Sequence, residues 1–99
     1  MGRSGKFLIA LLALTATAFA GIEVLGIEVL GIEVLGIEVL ASDYPAGSYV
    51  EAEADGLVVD TDIPDSDGYA YVEMPASAQS KIVNLRGPLG ELLDSAPVE

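Results

Sequence analysis

Apolar and acidic positions recur with a strict period of five over residues 21–40, where Gly-Ile-Glu-Val-Leu occurs four times without interruption. On an α-helix, each copy would be rotated by about 140° from the last, so the glutamates would spread around the axis instead of forming one polar face. Each copy also contains a glycine and two β-branched residues, which disfavour a helix. The pattern therefore predicts β structure.

The period of five is odd, whereas side chains alternate between the two faces of a strand with a period of two. Successive copies would therefore turn opposite faces outward, and a strand with two such mixed faces needs cover on both sides. A small solenoid with glycine at each corner would supply it, and so would pairing with the same segment of other molecules. The remaining interpretation is a tolerated tandem duplication with no dedicated role.

Pairing between molecules would bring like charges together. Neighbouring carboxylates in an in-register stack would lie about 4.8 Å apart, a distance at which they repel. We therefore expect self-association to be promoted by acid or divalent cations and resisted at neutral pH in low salt. The residues concerned are Glu23, Glu28, Glu33 and Glu38.

Residues 41–99 show shorter alternating segments. Strands are predicted over residues 48–54, 57–59, 68–74 and 81–85, and a short helical turn is predicted over residues 88–93. This region has 12 acidic and two basic residues, with 13 Ile, Leu or Val, against 12 in the 20-residue repeat. It therefore offers little to cover the repeat. A small β-rich region and a partly disordered region both fit this composition.

The first 20 residues read as a cleavable signal peptide. Arg3 and Lys6 precede an apolar stretch over residues 7–14, and Ala18-Phe19-Ala20 has the small-x-small pattern of a cleavage site. The predicted organisation is a signal helix (residues 1–20), the repeat (residues 21–40) and the acidic region (residues 41–99), in a small, mainly β protein. The expected location is secreted, periplasmic or at the cell surface, with no membrane span after cleavage.

Charge and composition exclude several functions. Loss of Arg3 and Lys6 with the signal peptide takes the net charge from −12 to −14, which repels nucleic acid. The chain contains no cysteine and no histidine, so it lacks a thiolate nucleophile, an imidazole base and the usual transition-metal ligands. We therefore expect a protein that is not an enzyme.

One acidic segment has the pattern of a divalent-cation loop. Asp60, Asp62, Asp65 and Asp67 alternate with other residues ahead of Gly68, and Ca²⁺ prefers several oxygen ligands on a bendable loop. An EF-hand loop aligned on Gly68 would begin at the apolar Ile63, which cannot supply a ligand, so the segment is not an EF-hand. A solvated acidic loop and a Ca²⁺ site remain open as interpretations.

The sequence thus favours an exported, acidic structural or interaction protein in which the repeat mediates self-association or partner binding. The first alternative is a Ca²⁺-dependent binding module that uses the four aspartates of residues 60–67. The second is a repeat with no specific role.

Overall fold

A computed structural model describes residues 19–99, so the predicted signal helix lies almost entirely outside the described residues. The prediction of a mainly β protein is confirmed. The described residues form seven strands: β1 (Gly21–Leu30), β2 (Val34–Ser42), β3 (Tyr49–Ala54), β4 (Leu57–Asp62), β5 (Tyr69–Pro75), β6 (Lys81–Arg86) and β7 (Leu92–Pro97).

The strands form two antiparallel sheets that pack face to face. The first sheet has the order β1-β2-β5, and the second has the order β4-β3-β6-β7. The chain crosses between the sheets after β2, after β4 and after β5. The predicted boundary between the repeat and the acidic region falls inside β2, whose far edge pairs with β5. The repeat is therefore part of one sandwich with the acidic region.

A β-bulge corrects the odd period of the repeat. The register of β1 on β2 shifts between Val24 and Gly26, which leaves Leu25 as an extra residue. Strict alternation would turn Ile27 outward after the inward-facing Val24, because the two are three positions apart. The extra residue restores the inward direction and places Ile27 opposite the fully buried Ile37. The first two copies therefore keep the same face toward the core.

The third copy forms the hairpin turn. Gly31 and Glu33 have φ angles of 47° and 55°, in the left-handed region that a tight reversal requires. Ile32 at the tip is 88% exposed. The carbonyl of Glu33 accepts a hydrogen bond of 2.8 Å from the N–H of Ala76, which ties the turn to the end of β5. Identical pentapeptides thus occupy a strand, a bulge or a turn according to their position.

The core lies between the sheets and is supplied by both parts of the chain. The fourth copy contributes Ile37 and Val39, both fully buried. The expectation that residues 41–99 offer little cover is wrong, because β3, β5 and β6 each turn apolar residues inward. These are Val50, Ala52, Ala70, Val72, Met74, Val83 and Leu85.

The helical turn predicted over residues 88–93 is also wrong. Gly90 has a φ of 83°, and its N–H donates a hydrogen bond of 2.9 Å to the carbonyl of Gly87. These residues form a tight turn, and β7 begins at Leu92. A glycine in the left-handed region ends helical geometry, so the turn carries the chain directly from β6 into β7.

The same residue type in identical pentapeptides should make very different contributions to stability. Ile37→Val removes a methylene from the core and should lower the free energy of unfolding by about 0.5–1.5 kcal/mol. Ile32→Val, the matched control, should change it by less than about 0.5 kcal/mol because Ile32 is exposed. Urea unfolding followed by circular dichroism measures both. Equal effects would contradict the placement of the fourth copy in the core.

Candidate functional site

The aspartates predicted to bind a cation begin on β4, where two of them bridge the sheets. The Oδ2 atom of Asp62 accepts a hydrogen bond of 2.9 Å from the backbone N–H of Tyr71, and Oδ2 of Asp60 accepts one of 2.9 Å from Glu73. Their Oδ1 atoms accept the N–H groups of the following residues, Thr61 and Ile63. Both oxygens of each carboxylate are therefore engaged with the backbone.

The other two predicted ligands lie in the connection between β4 and β5. The Oδ1 atom of Asp65 accepts hydrogen bonds of 2.9 Å from the N–H of Asp67 and 3.0 Å from that of Tyr69, so it organises the turn into β5. Asp67 is exposed. Among residues 19–99 no group of three acidic side chains is arranged to hold a metal ion. The structure therefore does not bring the four aspartates together, and Ca²⁺ binding remains a prediction.

A carboxylate on one sheet thus accepts hydrogen bonds from backbone N–H groups on an edge strand of the other sheet. Asp60 and Asp62 belong to the edge strand of the second sheet, and β5 is an edge strand of the first. Asp94 of β7 plays the same part at the opposite edge, where its Oδ2 accepts a hydrogen bond of 2.9 Å from the N–H of Ile22 in β1. Unpaired edge groups invite pairing with other chains, so these contacts protect the edges.

Residues 26–30 of β1 lack this protection. Because the N–H groups of Tyr71 and Glu73 point toward β4, their partners on β2, Glu38 and Gly36, direct their backbone groups toward β1. Glu38 and Gly36 pair with Gly26 and Glu28 of β1, whose backbone groups therefore point toward β2. The alternate residues Ile27 and Val29 consequently direct their backbone N–H and C=O groups away from β2, to the outer edge of the sheet. Within residues 19–99, no side-chain or loop hydrogen bond reaches these two residues.

The same segment exposes apolar side chains. Ile27 and Val29 lie opposite the inward-facing Ile37 and Leu35. The two β2 residues are 0% and 9% exposed, whereas Ile27 is 39% exposed and Val29 is 71% exposed. At the positions of Ile27 and Val29 the core therefore ends at β2, and these two inward-facing side chains of β1 extend beyond the core into solvent. An unprotected backbone edge and two exposed aliphatic side chains coincide here, and we call residues 26–30 the open edge of β1.

The outer face of the first sheet is acidic and carries two tyrosines. Tyr71 lies across Gly36 of β2, so close that a Cβ atom at position 36 would overlap the phenol. Partial desolvation first, and then the carboxylates of Glu28 and Glu73, raise the pKa of Tyr71 above the usual value of 10.0. The glycine that begins the fourth copy therefore makes room for an aromatic ring on the neighbouring strand.

The second sheet carries a polar network on its outer face. The Oε1 atom of the buried Glu51 accepts hydrogen bonds of 3.0 Å from Asn84 and 3.1 Å from Arg86. Asn84 also donates to Glu53 and accepts from Ser95, at 3.0 Å and 2.7 Å. These partners satisfy the buried carboxylate, so the cluster stabilises the sheet.

Comparison of this chain with protein-family models, curated proteins and solved structures gives no match. Over residues 19–99 there is no helix long and apolar enough to cross a membrane. Sequence reasoning selected the aspartates of residues 60–67 and missed the open edge of β1. That edge has no local signal, because it depends on the bulge and on how far the second sheet extends.

Asp62 is expected to stabilise the sandwich by capping the edge of β5, that is, by accepting a hydrogen bond from its backbone. Asp62→Ala leaves the N–H of Tyr71 without its carboxylate partner and should lower the free energy of unfolding by about 1–2 kcal/mol. Asp67→Ala is the matched control and should change it by less than about 0.5 kcal/mol. Urea unfolding in the presence of a chelator measures both variants. Equal effects of the two substitutions would contradict the capping role.

Tyr71 should titrate later than a free tyrosine. Because its folded-state pKa lies above 10.0, its contribution to stability is complete below pH 10 and is lost as the pH rises beyond that value. The difference in absorbance at 295 nm between the wild type and Tyr71→Phe isolates its titration. Glu28→Gln should lower the midpoint, whereas Glu23→Gln should leave it unchanged. Identical midpoints in all backgrounds would contradict the influence of Glu28.

Proposed function

We propose that this chain is an exported acidic structural or interaction protein that associates with copies of itself through the open edge of β1. One observation carries the proposal: Ile27 and Val29 combine outward-directed backbone groups with exposed aliphatic side chains. Strand addition uses both features, since main-chain hydrogen bonds supply affinity and alternate side chains supply packing. The protein acts through this surface and not by catalysis.

The charge of the protein limits the strength of the association. Both basic residues of the described chain lie on β6, where Lys81 donates to the carbonyl of Ala78 and Arg86 pairs with Glu51. Two copies therefore meet as acidic bodies, with no basic side chain in the first sheet to attract them. Apolar burial at Ile27 and Val29 favours contact, and net charge opposes it. We expect a weak complex that strengthens as salt screens the charge.

The Ca²⁺-dependent binding module is the second candidate. Alternating aspartates support it, but a cation at Asp60 and Asp62 would compete with four backbone N–H groups for the carboxylate oxygens. The remaining interpretation, a repeat without a specific role, predicts a protein that stays monomeric. Association measurements therefore separate the leading proposal from this last interpretation.

A lysine at the open edge should weaken association. We expect Val29→Lys to weaken self-association by about tenfold or more, because an ammonium group would be buried without a partner. Ile32→Lys adds the same charge at the turn tip, outside the open edge, and should associate as the wild type does. Sedimentation velocity at pH 5 and moderate salt, over a range of protein concentrations, measures both variants.

Folding is checked separately by circular dichroism and urea unfolding. Val29 is 71% exposed, so its substitution by lysine should leave the sandwich intact. A wild type that remains monomeric at every pH and salt concentration would overturn the proposal. Equal loss of association in Val29→Lys and Ile32→Lys would also contradict it, since that result would indicate a general effect of charge.

A further inference from the structure

We infer that the two copies pair antiparallel, β1 against β1, around a two-fold axis at Glu28, and that the two apposed Glu28 carboxylates control the association. This inference rests on the proposed function. It goes beyond that function by specifying the register of the interface and the group that makes the complex responsive to acid and divalent cations.

The axis follows from the length of the regular edge. Leu25 is the extra residue of the bulge, and Gly31 is in the turn, so the regular strand between them consists of residues 26–30. A two-fold antiparallel pairing that uses the whole of this segment must place its central residue, Glu28, opposite itself. A pairing centred on Ile27 would use the bulge, and one centred on Val29 would use the turn.

The same register satisfies the backbone groups at the edge. With Glu28 on the axis, Ile27 lies opposite Val29 of the second copy, and Val29 lies opposite Ile27 of the second copy. These residues direct their N–H and C=O groups outward, so each pair exchanges two hydrogen bonds. Their side chains share the inner face, where all four aliphatic groups approach each other. Both the hydrogen bonds and the apolar contacts are therefore formed in one arrangement.

The outer face opposes this arrangement unless charge is removed. Residues on the axis form a non-hydrogen-bonded pair, whose Cα atoms are about 4.5 Å apart, so the two Glu28 side chains are adjacent. The other ionisable groups on this face are Glu23 of β1, Glu38 of β2, and Tyr69, Tyr71 and Glu73 of β5. None of them is basic. Protonation of Glu28, or a divalent cation shared by the two carboxylates, would relieve the repulsion.

The absence of cysteine from the chain allows the register to be tested directly. In Glu28→Cys, the two thiols face each other at a separation that a disulfide can span, so oxidation should link most of the associated protein as covalent dimers. Glu23→Cys and Ile32→Cys are the matched controls, and they should give few dimers because neither residue lies near the axis. Non-reducing electrophoresis of each variant after mild oxidation at pH 5.5 to 7 measures the yield.

The role of the carboxylates is tested with Glu28→Gln. At pH 7 in low salt it should associate at least about fourfold more tightly than the wild type, the ratio for unit charges about 5 Å apart in bulk water. Its association should also lose most of its dependence on pH and on added Mg²⁺ or Ca²⁺. Glu23→Gln changes the net charge equally and should retain the wild-type dependence on both.

The outcomes separate this inference from the proposed function. If the wild type associates and Val29→Lys does not, but Glu28→Cys gives no more dimer than the controls, the register is wrong and the open edge stands. If cross-linking succeeds and Glu28→Gln responds to acid and cations as the wild type does, control by Glu28 is wrong. A wild type that never associates would overturn the proposed function itself.

Discussion

A five-residue repeat cannot keep its aliphatic residues on one face of a β-strand without an interruption, and the structure depends on where the interruptions fall. The bulge at Leu25 restores the face between the first and second copies. The turn at Gly31 uses the third copy to reverse the chain. The fourth copy can then cover the core with Ile37 and Val39. A strand without these breaks would expose half of its aliphatic side chains.

The aspartates complete the sandwich in a second way. A carboxylate reaches from the edge of one sheet to the backbone of the other, so the two sheets are joined by hydrogen bonds as well as by apolar packing. Short acidic side chains on strands therefore account for part of the unusual acidity of this chain. Among the described residues, no such contact reaches residues 26–30 in the second half of β1.

Much of the fold could be predicted from the sequence. Alternation correctly predicted a strand over residues 48–54, where β3 spans Tyr49–Ala54 and buries Val50, Ala52 and Ala54. The bulge could not be predicted, because four identical copies give no local signal for which one is interrupted. The aspartates were assigned to a cation loop because alternating Asp residues resemble ligands; on a strand, alternation instead places Asp60 and Asp62 on one side, within reach of β5. The open edge requires knowledge of both sheets.

The identity of the copies also bears on how the gene can change. Tandem DNA repeats gain and lose units by slippage during replication. If a fifth copy arose, the last four could still occupy β1, the turn and β2, since every copy is interchangeable, and the added unit would emerge ahead of the first strand. Loss of a copy would instead remove the residues before the bulge, including the contact between Ile22 and Asp94. The architecture should therefore tolerate expansion of the array better than contraction.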